Sequence, residues 1–181
     1  MSTQTATTKW TIDASHSKIG FKVRHLMISN VSGKFDKFEG TLENEGDDFT
    51  TAKASFTAQA ASINTNEPNR DAHLQAPDFL NAAQYPQVKF TSTKFEKTSG
   101  NNYTVTGDLT IRDVTKPVKL DVEFSGFVKD GYGNNRAAFE IAGKINRTDY
   151  GLTINIPLDG GGVVIGEEVK FEIEVQLIKQ A

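Results

Sequence analysis

Apolar and polar residues alternate along most of this chain. Between residues 51 and 60 every even position is alanine or phenylalanine, whereas the odd positions are threonine, lysine, serine or glutamine. A period of two predicts a β-strand with one buried face. The same alternation recurs near residues 18–24, 103–111, 118–124, 139–145 and 169–177, and further strands are expected near Trp10, at 31–42 and at 88–95.

The residues between these strands predict how the strands connect. Clusters of turn-forming residues occur at 99–102, 115–117, 129–135 and 159–162. Short connections favour antiparallel neighbours, and a sheet of about eight or nine strands has to curl or close. We therefore predict an all-β fold, an antiparallel barrel of about eight strands. The interior of such a barrel is either filled by side chains or wide enough for one small ligand.

Residues 66–83 form the one stretch long enough for a helix without strand alternation. A short helical insertion is predicted there, and Pro77 is placed to open a second short helix. On the predicted helix Arg70, His73 and Leu74 are three and four residues apart, so they share one face. A cation, an imidazole and an aliphatic side chain then point the same way.

Composition and charge exclude several classes of protein. The 181 residues fit one domain, predicted over 10–181 behind a flexible segment at 1–9. Twenty Lys and Arg against 23 Asp and Glu leave a net charge of -3, which gives no footprint for nucleic acid. Cysteine is absent, so disulfides and thiolate ligands are excluded. No membrane span or signal peptide is predicted, which indicates a cytoplasmic protein, or a periplasmic one if a leader has been removed.

Small residues are frequent on the predicted inner face of the barrel. Ala54 and Ala58 lie on the buried face of their strand, and glycines interrupt other strands at Gly20, Gly33, Gly107 and Gly143. Small residues leave room, and the twelve phenylalanines supply apolar walls that suit a hydrocarbon chain. The same residues also suit a filled core, so a filled core and a ligand cavity both stay open at this point.

The residues that could carry catalysis or bind a metal are few. His16 and His25 are nine residues apart, which places them on opposite faces of one strand, and neither His73 nor Asp71 completes a close ligand set. Ser15 and His16 are adjacent, and adjacent residues on a strand point apart, so a nucleophile and its base are not expected to meet. We predict no metal, no cofactor and no catalytic group.

Several sequence blocks, in this order, resemble the YceI-like family over nearly the whole chain. The blocks are Asp13–Leu26, Val31–Phe35, Arg70–Leu74, Gly107–Ile111, Val114–Val118, Ile145–Gly151 and Gly166–Val169. The resemblance implies an extended, lipocalin-like antiparallel barrel with a helical segment. It also implies that the lumen holds a long-tailed amphiphile such as a polyisoprenoid. Relatives of this type can pair, so a homodimer is one option.

The predicted ligand-binding residues line the lumen or its mouth. They are Phe21, Val23, His25, Phe35, Phe38, Ala54, Phe56, Ala58, Arg70, His73, Leu74, Phe79, Phe90, Phe139, Arg147 and Tyr150. Arg70 and Arg147 have two interpretations: either guanidinium contacts an anionic headgroup, or it forms an ion pair with a nearby aspartate, Asp71 or Asp149.

The function predicted from the sequence is therefore binding of a long-chain amphiphilic lipid, either a polyisoprenoid or a similar isoprenoid or fatty acid. The protein would act in transport, storage or sensing and would not be an enzyme. Two alternatives remain. One is a pocket enzyme that uses His73 or His25 with Asp71, and the other is a stress-related interaction module.

Overall fold

Strands dominate the computed structural model, which describes residues 5–155 and 164–181. The predicted turn at 159–162 lies outside the described residues. The strands are β1 (Thr7–Ile12), β2 (Lys18–His25), β3 (Ser29–Phe35), β4 (Phe38–Glu45), β5 (Asp48–Gln59), β6 (Ile63–Asn64), β7 (Gln87–Ser99), β8 (Asn102–Ile111), β9 (Val114–Lys129), β10 (Asn135–Asn146) and β11 (Ile165–Lys179). The α-helix α1 covers Pro68–Leu74, and short 3-10 helices lie at Ala14–His16, Ala60–Ser62 and Arg147–Tyr150.

Eight antiparallel strands close into a barrel in the order β1, β4, β5, β7, β8, β9, β10, β11 and back to β1. The closing contact pairs Trp10 with Lys179 and Ile12 with Leu177. This arrangement confirms the predicted eight-strand, lipocalin-like barrel. Closure leaves no free edge in the ring of strands, which protects the sheet from pairing with other chains.

One edge of β11 pairs with β10, and its other edge is long enough to pair with two strands. Its C-terminal end pairs with β1, and its N-terminal half pairs with β2, from His25 opposite Ile165 to Lys18 opposite Glu174. β3 follows β2 and pairs in turn with β6. The barrel is therefore extended at one end by β2, β3 and β6. β1 begins at Thr7 and pairs with β4, so residues 7–9 lie in the sheet.

The alternating pattern of β5 corresponds to two faces of the barrel wall. Ala52 and Ala58 are buried, and Phe56 packs against buried core residues, whereas Lys53 and Ser55 are exposed. A side-chain period of two turns every second residue to the interior. The predicted buried face of this strand is therefore the inner wall.

Buried residues gather in two clusters, one at each end of the barrel. The aromatic end contains Trp10, Phe49, Tyr103, Val105, Phe139, Val175 and Leu177 among others. The helical end contains Ala58, Ala60, Ile63, Leu80, Ile111, Ile145, Tyr150 and Leu152 among others. Both ends are closed by packed apolar side chains, and the middle of the barrel lies between them.

The helical insertion is shorter than predicted. Glu67 caps α1 by accepting hydrogen bonds from the backbone N–H groups of Asn69 (3.1 Å) and Arg70 (2.6 Å). The helix ends at Leu74, whose carbonyl accepts a bond from Leu80 N–H at 3.0 Å. The second short helix predicted at Pro77 is wrong: residues 76–84 form turns. Leu74 and Leu80 both pack at the helical end, and this packing draws the chain back before another helix begins.

No helix in residues 5–155 and 164–181 is long and apolar enough to cross a lipid bilayer.

Candidate functional site

The inward-facing glycines leave room that aromatic and aliphatic side chains occupy. A β-carbon on Gly33 would lie 2.5 Å from Phe21 Cζ, and one on Gly107 would lie 2.3 Å from Phe90 Cζ. Gly143 accommodates Leu120 in the same way, at 2.6 Å. These glycines therefore allow large side chains to lie against the wall. The space that they leave is not itself a ligand cavity.

Four phenylalanines lie between the two buried clusters and pack against both. They are Phe35, Phe38, Phe56 and Phe90, called here the central phenylalanines. All four remain partly exposed; Phe38, Phe56 and Phe90 lie on strands of the closed ring, and Phe35 lies on β3 in the extension beside it. Their residual exposure distinguishes these rings from the buried residues of the two clusters, so their surroundings are the candidate site for an apolar ligand.

Other rings and small residues complete the wall around the central phenylalanines. Phe21 lies 5.9 Å from Phe35, centroid to centroid, and Phe38 lies 6.2 Å from Phe56. Ala54 and Val23 are partly exposed and share the strand face of these rings. The structure thus brings together most of the apolar residues that the sequence analysis proposed as a ligand site.

Three predicted ligand residues lie instead within the closed ends. Phe139 is 5% exposed at the aromatic end, and its ring centroid is 5.0 Å from that of Phe49. Ala58 (0%) and Tyr150 (2%) are buried at the helical end, where burial raises the pKa of the Tyr150 phenol. These residues close the barrel. Their contact with a ligand remains a prediction.

Arg147 is a buried cation that links two chain segments at the helical end, one at Leu152 and one at residues 165–166. It is 4% exposed, and its three side-chain nitrogens donate to the backbone carbonyls of Leu152 (2.5 Å), Gly166 (2.9 Å) and Ile165 (3.2 Å). The alternative of an ion pair with Asp149 is wrong, because the guanidinium bonds backbone carbonyls instead. Burial lowers the pKa of the guanidinium, although it remains fully charged at neutral pH.

Arg70 is anchored to the inner wall through Thr65. Its Nε donates to Thr65 Oγ1 at 2.8 Å and its Nη2 to Thr65 O at 2.9 Å. Asp71 accepts from Thr65 N–H and Oγ1–H, so the predicted direct pair between Arg70 and Asp71 is replaced by a shared contact with Thr65. The Thr65 methyl group also lies against Gly33, beside the Phe21 ring. Arg70 is therefore one residue removed from the lumen wall.

Arg112, which the sequence analysis did not single out, is the third arginine at the helical end. Its Nε is the only buried side-chain nitrogen or oxygen without a hydrogen-bond partner in residues 5–155 and 164–181. The guanidinium lies 5.8 Å from the ring centroid of Tyr85, and its Nη1 is at the limit of bonding to Gly151 O, at 3.5 Å. A buried, unpaired N–H on a cation is costly unless an anion accepts it.

The alternative pair of His73 with Asp71 does not form. His73 Nε2 lies 3.1 Å from Asp78 Oδ2, and its ring meets Phe79 edge to face at 5.0 Å. Residues two apart on a helix point in different directions, and Asp71 is bonded to Thr65. Within the described chain no hydrogen bond joins His25 to either side chain, so no acid and base pair is assembled.

Ser15, His16 and Asp13 do meet, contrary to the prediction that adjacent residues point apart. The segment is a 3-10 helix and not a strand, so Ser15 Oγ lies 3.1 Å from His16 Nδ1. However, Ser15 donates its proton to Asp13 Oδ1 (2.6 Å), and the same Nδ1 of His16 faces Asp13 Oδ2 (2.8 Å). A catalytic triad needs one imidazole nitrogen for serine and the other for aspartate. This cluster therefore caps a turn.

The Asp13 cluster also joins distant parts of the aromatic end. Arg136 donates to Asp13 Oδ2 and to Asp130 Oδ2, both at 2.7 Å. The Ser15 hydroxyl, and then Arg136, hold the pKa of Asp13 well below its usual range, and Arg136 does the same for Asp130. The arrangement fastens the N-terminal segment to the β9–β10 turn.

In the described part of the chain, no three His, Asp or Glu side chains converge as a metal site requires. Two depressions on the barrel wall, of about 500 and 540 Å³, are lined by a mixture of polar and apolar residues, and Ala54 borders the first of them. Neither offers the continuous apolar wall that a hydrocarbon tail needs. The interior around the central phenylalanines remains the best candidate site.

Comparison with known proteins places this chain in a family. The profile of the YceI-like domain matches residues 10–177. A UPF0312 protein of Staphylococcus aureus (strain MSSA476) is 37% identical over 170 residues, which cover 93% of this chain and 96% of that protein. The crystal structure of the YCEI protein of Campylobacter jejuni is 32% identical, with a TM-score of 0.73, and covers 93% of this chain and 96% of the other.

A polyisoprenoid binding domain from Saccharophagus degradans, implicated in plant cell wall breakdown, shares the fold with a TM-score of 0.69. Its identity is 15%, over 94% of this chain and 98% of that domain, so the likeness concerns the fold alone. The resemblance identified from the sequence blocks is thus confirmed by profile, relatives and architecture. The chain belongs to the YceI-like family.

Proposed function

We propose that this protein binds a long-chain amphiphilic lipid, of the polyisoprenoid or fatty-acid type, in the interior of its barrel. The tail lies along the central phenylalanines, and the protein serves to carry, store or sense the lipid. The fold shared with the polyisoprenoid binding domain of Saccharophagus degradans supports this class of ligand.

The partial exposure of the central phenylalanines is the observation on which the proposal rests. Apolar rings on the inner face of a closed barrel lose contact energy when the space beside them is empty. A flexible hydrocarbon tail fills such a space and removes both ring and tail surface from water. Each buried methylene contributes about 0.8 kcal/mol, so a tail of ten carbons provides roughly 8 kcal/mol before ordering costs.

The headgroup of the proposed ligand is anionic and lies at the helical end. Arg112 contributes a buried N–H that no described group accepts, and Arg70 has an Nη1 without a partner in the described chain. Arg147 already bonds three carbonyls, so we assign it to holding the end of the barrel. This recognition requires no metal ion, because a guanidinium binds phosphate or carboxylate directly.

The proposal includes no chemical step on the lipid. A general acid or base has to lie within about 3 Å of the reacting atom. His25 shares the strand face of Phe21 and Val23, and no described side chain hydrogen-bonds it as an acid or base partner. His73 pairs with Asp78, and His16 pairs with Asp13. Prolonged incubation of a polyprenyl phosphate with the protein is expected to give no product above that of a denatured control.

The test compares two ligands with the same tail, a polyprenyl phosphate and the corresponding polyprenol. Wild-type protein is expected to bind both and to prefer the phosphate. Arg112→Gln should weaken binding of the polyprenyl phosphate by about tenfold or more, since charge-assisted bonds contribute roughly 1.5 to 3 kcal/mol. Its affinity for the polyprenol should stay unchanged. Arg136→Gln makes the same chemical change at the aromatic end and is the matched control.

Each outcome has a definite meaning. Failure of wild-type protein to bind either ligand contradicts the lipid-binding proposal. Equal loss of both ligands in Arg112→Gln, with native circular dichroism, indicates damage to the wall and removes Arg112 from the headgroup site. A loss of phosphate preference in Arg136→Gln as well would show that the long-range charge of the protein, and not a contact, sets the preference.

A further inference from the structure

Three consecutive apolar residues are exposed at the turn that joins β2 to β3. Leu26 is 39% exposed, Met27 51% and Ile28 77%. Single exposed apolar residues are common on proteins, but three in a row at the end of a projecting hairpin form a distinct surface. We call these three residues the apolar tip.

The backbone of the apolar tip is unusual for the residues that it carries. Leu26 has φ of 52° and Met27 has φ of 62°, in a turn closed by Ile28 N–H donating to His25 O at 3.2 Å. The loop has three residues between the paired His25 and Ser29, and positive φ favours Gly or Asn at the first two of them. The chain therefore exposes large apolar side chains at positions where turn formation favours small polar ones.

The apolar tip is held in place by its surroundings. Leu26 N–H donates to Val164 O at 2.8 Å, and Arg24 Nε donates to Met27 O at 3.1 Å. No described residue bonds the two terminal amino groups of Arg24, which lies beside the apolar side chains. An exposed apolar tip next to a guanidinium suits a lipid surface, which has phosphate groups at its boundary and an apolar interior below them.

The charge of the hairpin fits the same kind of surface. Residues 18–35 contain the cations Lys18, Lys22, Arg24 and Lys34 and no carboxylate, although the chain as a whole has a net charge of -3. Lys22 pairs with Glu172 of β11 at 2.6 Å and Lys34 pairs with Asp36 at 3.4 Å, whereas no described carboxylate lies within ion-pair distance of Arg24. Glu168 of β11 is paired with Lys144 and Lys170. Arg24, beside the tip, is therefore the cation that remains available to the phosphate groups of an anionic lipid surface.

A second copy of the chain is a weaker candidate for the partner of the tip. The tip consists of three side chains, whereas a standard protein interface buries about 800 Å² on each partner and involves roughly 20 to 30 residues a side. Insertion into a bilayer needs no matching surface, because each apolar group contributes on its own. The small size of the tip therefore favours a lipid surface.

We infer that the apolar tip docks this protein on an anionic phospholipid bilayer. Leu26, Met27 and Ile28 enter the boundary between headgroups and acyl chains, and Arg24 contacts lipid phosphate. The tip lies at the helical end, since His25 pairs with Ile165, whose carbonyl accepts a bond from Arg147. The inference does not depend on the lumen ligand, because bilayer binding is measured separately.

The first experiment measures binding of the full chain to vesicles made of equal parts phosphatidylcholine and phosphatidylglycerol. Wild-type protein should cosediment, and Ile28→Asp should lower the apparent affinity by about tenfold or more. Val128→Asp is the matched control, because Val128 is 62% exposed on β9 at the aromatic end. That variant should bind as wild type.

A second experiment locates the contact. Trp10 is the only tryptophan, is 4% exposed and lies at the aromatic end, so it is a built-in reference. Met27→Trp adds a reporter at the tip. Its emission should shift to the blue with vesicles and be quenched by brominated lipid, whereas the emission of wild-type protein should not change.

Several results would overturn the inference. These are absence of wild-type binding to the vesicles, unchanged binding by Ile28→Asp, or an equal loss in Val128→Asp. A concentration-dependent dimer that Ile28→Asp abolishes, without vesicle binding, would assign the tip to a second copy of the chain. If wild-type protein binds the vesicles but takes up no lipid into its lumen, the proposed function is contradicted and the docking inference stands.

Discussion

Two alanines on the same strand face provide a sharp test of where the lumen is open. Ala54 is partly exposed opposite Leu42, whereas Ala58 is 0% exposed between Phe38 and Val88. We expect Ala54→Phe to fold normally and to block the lumen. Ala58→Phe has no free space and should destabilise the helical end.

The magnitudes follow from packing and from the ligand. Overpacking costs roughly 1 to 3 kcal/mol, so Ala58→Phe should lower Tm by about 2 to 12 °C. In Ala54→Phe the new ring displaces roughly four methylenes of the tail, and at about 0.8 kcal/mol each this weakens binding roughly a hundredfold. Its Tm should stay within about 2 °C of wild type.

Thermal unfolding and titration with a fluorescent polyene fatty acid measure these two effects on the same samples. Unchanged probe affinity in Ala54→Phe, with native circular dichroism, would place Ala54 outside the binding space. A normal Tm in Ala58→Phe would show that the helical end is less tightly packed than the structure describes. Either result would refute the reasoning that assigns unfilled space to the middle of the barrel.

Two further predictions concern arginines at opposite ends. Arg147→Met leaves three backbone carbonyls without their donor, so it should lower the free energy of unfolding by about 3 kcal/mol and Tm by roughly 6 to 12 °C. Arg147→Lys should restore little of this stability, because a lysine ammonium does not have the planar, branched donor geometry of the guanidinium. Arg136→Gln removes the cation beside Asp13 and Asp130, whose folded pKa values lie below their unfolded ones. The Tm difference from wild type should therefore be constant above about pH 5 and shrink as the pH falls below about 4. A difference that grows in acid would refute this assignment.

The strand faces could be predicted from the sequence because a period of two is a local property. The alternation in residues 51–60 identifies Ala52, Ala54 and Ala58 as inward-facing, and burial of the strand agrees. The number of strands predicted a closed barrel, the stretch at 66–83 predicted a helical insertion, and the family blocks implied the extended, lipocalin-like form. The pairing that closes the ring, Ile12 with Leu177, joins distant ends of the chain, so no local pattern reveals it.

The details of the candidate site depend on contacts that spacing does not determine. Ser15 and His16 were expected to point apart, because a strand was assumed where a 3-10 helix forms. The inward glycines accommodate neighbouring rings, so counting small residues overestimates the free space. Arg112 lies in a turn between two strands, and only its place beside Tyr85 and its unpaired Nε single it out.

Analysis of the lipid that copurifies with the protein tests the central claim most directly. Protein purified without detergent is extracted with organic solvent, and the extract is analysed by mass spectrometry beside that of Ala54→Phe. The account predicts one class of intact long-chain amphiphile in wild-type protein and much less of it in the variant. Equal amounts of the same lipids in both extracts, or none in either, would contradict a lipid-binding lumen.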